Sequence, residues 1–265
     1  MNQATRLVLI NSQPIGDGGA AHLATDRTGK ILFSAQYGGG SVAVFPIDAD
    51  GSIGKRSQLV KHKGGSRVVG KRQDSPHPHW VGMSPENRFL FVPDLGLDRV
   101  VIHALNESTS QLTPHSKGVA PAGGGPRHMK FHPDGKFIYL LNELALSVTV
   151  FAYDAEKGTM VPMQTIPTLS KAAKAKESFV SASEIRVHPS GKFVYAANRG
   201  HDSITVFRIE HNDQLQLVEV EPVRGGWPRN FNLDPTGKWL LAAGRDSNTL
   251  AVFAIDQSTG ELRYT

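Results

Sequence analysis

The sequence has no cysteine among its 265 residues. Disulfides, thiolate-bound zinc and a cysteine nucleophile are therefore excluded, and the fold has to rest on its own packed core, in what reads as a reducing, cytoplasmic setting. Long apolar runs are also missing. No stretch approaches the roughly 18 apolar residues of a membrane span, and the start, MNQATRLVLINSQPIGDGG, has one short apolar run without a small-residue cleavage pattern. A soluble, unsecreted chain with no membrane partner is the expectation. Amphipathic helical periodicity is scarce as well: only LSKAAKAKES, residues 169–178, reads as helical, which excludes a doubly wound fold with a helix after each strand.

The formal charge is +5, and much of the excess sits in GKRSQLVKHKGGSRVVGKR, residues 54–72. No aromatic residue is interleaved there to stack on bases, so a loop that attracts a small anion fits better than a nucleic-acid surface.

What the chain does have is a repeat. The hairpin PRHMKFHPDGKFIYLLNEL recurs as AAHLATDRTGKILFSAQYG, PHWVGMSPENRFLFVPDLG, ASEIRVHPSGKFVYAANRG and PRNFNLDPTGKWLLAAGRD. Each copy is followed by a third apolar strand (SVAVFPID, RVVIHAL, SVTVFAYD, SITVFRIE, TLAVFAID), a short turn and a weaker fourth strand. Four short strands per unit describe the blade of a β-propeller, an all-β fold. The turn anchors Gly29, Asn87, Gly135, Gly191 and Gly237 are residue types that tolerate the positive φ of a tight hairpin.

With five repeats visible, residues 1–265 are expected to form a single propeller domain. Residues 6–14 either complete the last blade and close a five-bladed ring, or the chain is part of a longer propeller; the second is favoured.

Antiparallel strands return to one edge, so residues eight before and eight after each anchor should face one another. Before the anchors stand Ala21, His79, Arg127, Ser183 and Arg229; after them stand Tyr37, Leu95, Glu143, Arg199 and Arg245. One step inward are His22, Trp80, His128, Glu184 and Asn230, which converge on the central channel. Two long connections, residues 54–78 and 167–182, overhang this face and carry ten lysines and arginines, Lys61, Lys63, Arg67 and Arg72 among them. A cationic funnel over several arginines predicts a small anionic ligand, since the planar guanidinium matches carboxylate and phosphate oxygens. His132 and His188 read as turn residues at the far edge. His77-Pro-His79 lacks acidic or cysteine partners, so no metal is expected, and AGGGPRH lacks the strand–loop–helix context of a nucleotide site, so no cofactor is implied.

The hairpins HPDGKFIYLLNE and HPSGKFVYAANRG, the strand SVTVFAYD and the segment GGGPRHMKFHP resemble the β-propeller lactonases, a family that includes a class of 6-phosphogluconolactonase and the fungal carboxy-cis,cis-muconate cyclases. The resemblance covers nearly the whole chain. It implies a seven-bladed propeller, of which five repeats are visible here, and a His, Arg, Glu, Arg site carried by His79, Arg127, Glu143 and Arg199. The implied activity is hydrolysis of a phosphorylated sugar lactone such as 6-phosphogluconolactone. In that chemistry Glu143 or His79 acts as base, Arg127 and Arg199 stabilise the oxyanion, and Arg229 and Arg245, with His22, His128 and Glu184 nearby, contact substrate. A muconate-type lactonising enzyme and a non-catalytic binding propeller are the alternatives.

Overall fold

The computed structural model describes residues 7–211 and 213–265. These form five four-stranded antiparallel sheets in chain order, the arrangement of propeller blades. Blade 1 comprises β1 (Ala20–Thr25), β2 (Ile31–Gln36), β3 (Ser41–Pro46) and β4 (Gln58–Lys61); blade 2 comprises β5 (Gly82–Met83), β6 (Phe89–Asp94), β7 (Arg99–Asn106) and β8 (Gln111–Val119). Blade 3 follows with β9 (Pro126–Phe131), β10 (Phe137–Asn142), β11 (Ser147–Asp154) and β12 (Thr159–Pro167), and blade 4 with β13 (Ser181–Val187), β14 (Phe193–Arg199), β15 (Ser203–Ile209) and β16 (Leu215–Pro222). Blade 5 has β17 (Pro228–Leu233), β18 (Trp239–Gly244), β19 (Thr249–Ile255) and a short β20 (Leu262–Tyr264). The helix-like stretch contributes one turn, α1 (Lys171–Lys174), capped by the Ser170 hydroxyl. Among the described residues no helix is long and apolar enough to cross a membrane.

Second strands such as β10 and β14 are buried on both faces because each sheet is sandwiched between neighbours. Four apolar clusters lie between consecutive blades, from Phe33, Val44 and Leu90 between blades 1 and 2 to Tyr195, Phe231 and Phe253 between blades 4 and 5. Burying each of these aromatic or aliphatic side chains contributes about 1.5–3 kcal/mol. The outer face of blade 5 instead exposes Trp239 and Leu250, and blade 1 exposes Leu23. Residues 7–14 form no strand and do not complete the last blade: Asn11 and Gln13 hydrogen-bond Ile53 in the β3–β4 connection of blade 1. Arg6, the first residue of that segment, lies outside the described residues.

All five turn anchors have positive φ, between 61° at Asn87 and 74° at Gly135. At Gly191 and Gly237 a second requirement is added. His132 and His188 reach across from the preceding blade, their Nε2 atoms 3.0 and 2.8 Å from the carbonyls of Gly191 and Gly237. A Cβ at Gly237 would stand 2.5 Å from the His188 ring. These histidines are turn residues at the far edge, and their repeated placement clasps blade to blade.

Candidate active site

The innermost strands carry a shared irregularity that the regular repeat does not predict. Pro126 pairs with Asn142 but His128 with Leu141, so Arg127 is an unpaired, bulged residue; Ala21 and Arg229 occupy the same position in blades 1 and 5. Blades 2 and 4 slip by one residue in the corresponding place. The direct opposition of Arg127 and Glu143 read from the sequence is thus shifted by one: the Glu143 N–H donates to Gly125 O at 2.7 Å. A bulge re-aims a side chain out of strict alternation, and here it swings the Arg127 head onto the Glu143 carboxylate all the same.

Glu143 is the hub. Arg127 Nε donates to its Oε2 at 2.9 Å, Arg72 Nη2 donates to its Oε1 at 2.7 Å, and Arg199 Nη2 lies 3.2 Å from the same Oε1. Burial would raise the pKa of this carboxyl group, but Arg199, Arg127 and Arg72 together hold it below its ordinary value. Arg127 is 2% exposed and its pKa is depressed to about 10 by burial, against the opposing pull of Glu143. Its Nη1 also donates to Ser183 O, while Arg199 Nη2 donates to Ala182 O at 2.8 Å. The Arg199 Nε–H is buried without a partner.

His79 lines the same cavity. Its Nδ1 is buried and unpartnered, and its ring meets Tyr37 and His128 edge-on at 5.4 and 5.1 Å between centroids. Burial, followed by the charge of Arg127, pushes its pKa well below that of a free imidazole, so the ring is neutral. The cavity encloses about 470 Å³, within the range of small-molecule sites. Every blade contributes: Ala21 and Tyr37 from blade 1, His79 from blade 2, Glu143 from blade 3, Arg199 from blade 4 and Arg229 from blade 5.

Two loops complete it. Asp98, 6% exposed, accepts the N–H groups of Gly123 and Gly125 at 2.7 and 2.9 Å and Gln73 Nε2 at 2.6 Å. The glycine run before Arg127 therefore cradles the chain's own carboxylate. The same carboxylate fixes the 3₁₀ turn Gly70–Gln73 that carries Arg72. On the opposite rim Trp227 stacks on Phe179 at 5.7 Å and holds a left-handed backbone, φ 58°, an unusual conformation for a bulky residue.

The structure thus brings together His79, Arg127, Glu143, Arg199 and Arg229, as the sequence suggests. Arg245 is a departure: it does not line the cavity but lies over the Trp227 ring, 4.9 Å from its centroid, and pairs with Asp246 at 2.6 Å. His22, His128 and Glu184 form a separate layer along the channel. His128 Nε2 accepts from Arg127 Nη1 at 3.2 Å, its Nδ1 lies 3.1 Å from Glu184 Oε1, and Asn230 donates to Glu184 Oε2 at 3.1 Å. His128, held in turn by Glu184, helps to fix Arg127. Of the loop cations only Arg72 lines the cavity, and Lys61 is engaged by Asp17 at 3.1 Å. Phe179 and Trp227 line the cavity without any signal in the sequence, whereas Tyr37 stands opposite Ala21 in the repeat and Arg72 is one of the ten cations of the overhanging loops, undistinguished there from the rest.

The family described as "Lactonase, 7-bladed beta-propeller" matches residues 1–265. The chain is 33% identical to a 6-phosphogluconolactonase of Bacillus subtilis over 232 residues, 86% of this chain and 64% of that protein. It is 37% identical to a 6-phosphogluconolactonase of Formosa agariphila over 239 residues, 88% of this chain and 66% of that one. It therefore spans just under two thirds of the length of these two curated relatives. The structure of a periplasmic gluconolactonase from Pseudomonas aeruginosa superposes with a TM-score of 0.87 at 33% identity, covering 96% of this chain and 71% of that one.

Proposed function

This chain belongs to the seven-bladed β-propeller lactonase family, and from that premise we propose that its cavity opens a phosphorylated sugar lactone, 6-phosphogluconolactone, to the corresponding hydroxy acid. The observation that carries the reading is one carboxylate shared by three arginines beside a neutral, cavity-lining histidine. Such a cluster leaves an excess of fixed positive charge where an anionic substrate and a developing oxyanion need it.

Hydrolysis requires a proton acceptor for water, a stabiliser for the tetrahedral oxyanion and a proton for the departing ring oxygen. His79 suits the first and last roles. It is neutral and lines the cavity, so it is able to accept a proton and to return it. It takes a proton as the water oxygen bonds to the lactone carbonyl carbon. As the ring C–O bond breaks, it returns that proton to the alkoxide, and the new carboxylic acid ionises and releases one proton to solvent. Glu143 has both oxygens occupied by guanidinium groups and serves as the anchor that orients the arginines. Arg199, which lines the cavity beside Glu143, supplies positive charge for the oxyanion, with Arg127 adding charge from behind. Arg229, exposed at the rim, extends the field to the substrate's remote anion. The five blades serve this site as one propeller domain. The cysteine-free composition supports a cytoplasmic setting.

Proton release on adding freshly generated 6-phosphogluconolactone, corrected for spontaneous opening, tests the reading. Wild type should release protons well above background, and His79→Asn should lose at least about 100-fold of that rate. No release from folded wild type, or an undiminished rate in the variant, contradicts it.

A further inference from the structure

The three arginines on Glu143 are not equivalent. Arg127 and Arg199 are buried and each also donates to a backbone carbonyl, so neither head can turn away without breaking a second bond. Arg72 is different. Its side chain is 39% exposed, and apart from Glu143 its head hydrogen-bonds, among the described residues, only the Tyr37 hydroxyl, at 3.4 Å. Its backbone, by contrast, is pinned. The neighbouring Gln73 is fully buried, donates to Leu95 O at 2.9 Å and to Asp98, and accepts the Val69 N–H at 2.9 Å. A fixed base with a displaceable, always charged head is the design of a residue that changes partners on binding.

Resting on the lactonase reading above, we propose that Arg72 recognises the substrate's phosphate, exchanging its bond to Glu143 for a bidentate contact with the phosphate oxygens. The exchange is nearly balanced for the protein, because Glu143 keeps Arg127 and Arg199. One charge-assisted bond to a carboxylate is replaced by a pair to a phosphate, whose geometry suits the guanidinium fork better. An unphosphorylated lactone offers no such partner and leaves the Arg72–Glu143 bond in place. Arg72 is thus a specificity residue, supplied by the long β4–β5 connection and absent from the strand repeat itself. The other cations of that connection do not reach the cavity.

The test compares kcat/KM for 6-phosphogluconolactone and for unphosphorylated gluconolactone in wild type, Arg72→Gln, Arg72→Lys and Arg229→Gln. Loss of one charge-assisted contact corresponds to about a 10- to 150-fold fall. The phosphorylated-to-unphosphorylated ratio should therefore drop at least tenfold in Arg72→Gln, chiefly through KM, and recover in part in Arg72→Lys. An unchanged ratio in Arg72→Gln, or a drop confined to Arg229→Gln, overturns the assignment. Wild type that opens neither lactone overturns the functional reading instead. Titration calorimetry then decides the phosphate role separately, using 6-phosphogluconate and gluconate as probes. Tighter binding of the phosphorylated acid that Arg72→Gln abolishes upholds it, and equal binding of the two acids by wild type refutes it.

Discussion

Replacing Glu143 by Gln removes the one negative charge on which Arg127, Arg199 and Arg72 converge. The cost depends on what is left behind. Arg127 and Arg199 are 2% and 5% exposed, so two buried cations would face each other across a neutral amide whose NH₂ group cannot accept from either. Removing one partner of a buried ion pair costs about 3–5 kcal/mol. For a chain of this size each kcal/mol lowers Tm by roughly 2–4 °C, so Glu143→Gln should melt about 6–20 °C below wild type. Arg72→Gln supplies the control: it leaves the carboxylate with two partners and removes a half-exposed side chain, for at most about 1 kcal/mol. Calorimetric melting of both variants at pH 7.5 measures the difference. The wild type adds a pH signature of the same origin. Because the Glu143 pKa is depressed on folding, its contribution is full above the ordinary carboxylate range and is lost only as pH falls through the folded value. A Glu143→Gln variant that melts within about 2 °C of wild type, or no lower than Arg72→Gln, would refute the view of this cluster as a charge hub.

A different pH window belongs to the histidines. Burial depresses His22 and His103 to about 4 and His128 to about 3, so all three are neutral in the folded protein and gain protons on unfolding below about pH 6.5. Their share of the stability is intact above that pH and falls by at most about 1.4 kcal/mol per histidine per pH unit on acidification towards the folded values. Urea unfolding at pH 7.5 and 5.5 should show a loss of about 4 kcal/mol from these three, to which His79, also held neutral by burial, adds in the same sense, and His103→Phe should reduce the loss by about 1.3 kcal/mol; an unchanged pH dependence in the variant would contradict the assignment. Asp98→Ala removes the acceptor shared by Gly123, Gly125 and Gln73, and should lower kcat/KM for the lactone by about 100-fold through misplacement of Arg127 and Arg72. Full activity in Asp98→Ala would show that these loops hold their positions without it.

The blades were legible because their pattern is written by local physics. Apolar runs buried on two faces, turn anchors needing positive φ and a recurring third strand each repeat with the blade. The convergence of His79, Arg127, Glu143 and Arg199 was legible for the same reason: equivalent positions of a repeat arrive at the same end of the channel. What the repeat could not convey was its own irregularity. The bulge at Arg127 inserts one residue into the pairing, and nothing in the alternation of PRHMKF marks it. Arg72 was hidden for a second reason. It sits among other cations in a connection of no regular structure, and it is singled out only by long-range bonds of Gln73 to Leu95 and Asp98. Arg245 was misjudged because equivalence within the repeat fixes the backbone position. It does not prevent a neighbouring Asp246 and the Trp227 face from drawing the side chain off the site.

Lactone opening is proposed for this cavity, and a crystal structure with 6-phosphogluconate bound tests that placement. The product's carboxylate, formed from the lactone carbonyl, should lie beside His79 and Arg199, with the phosphate against Arg72 and the Arg72–Glu143 contact broken. A product bound outside this cavity, or one lying in it with its carboxylate remote from His79 and Arg199, would contradict it.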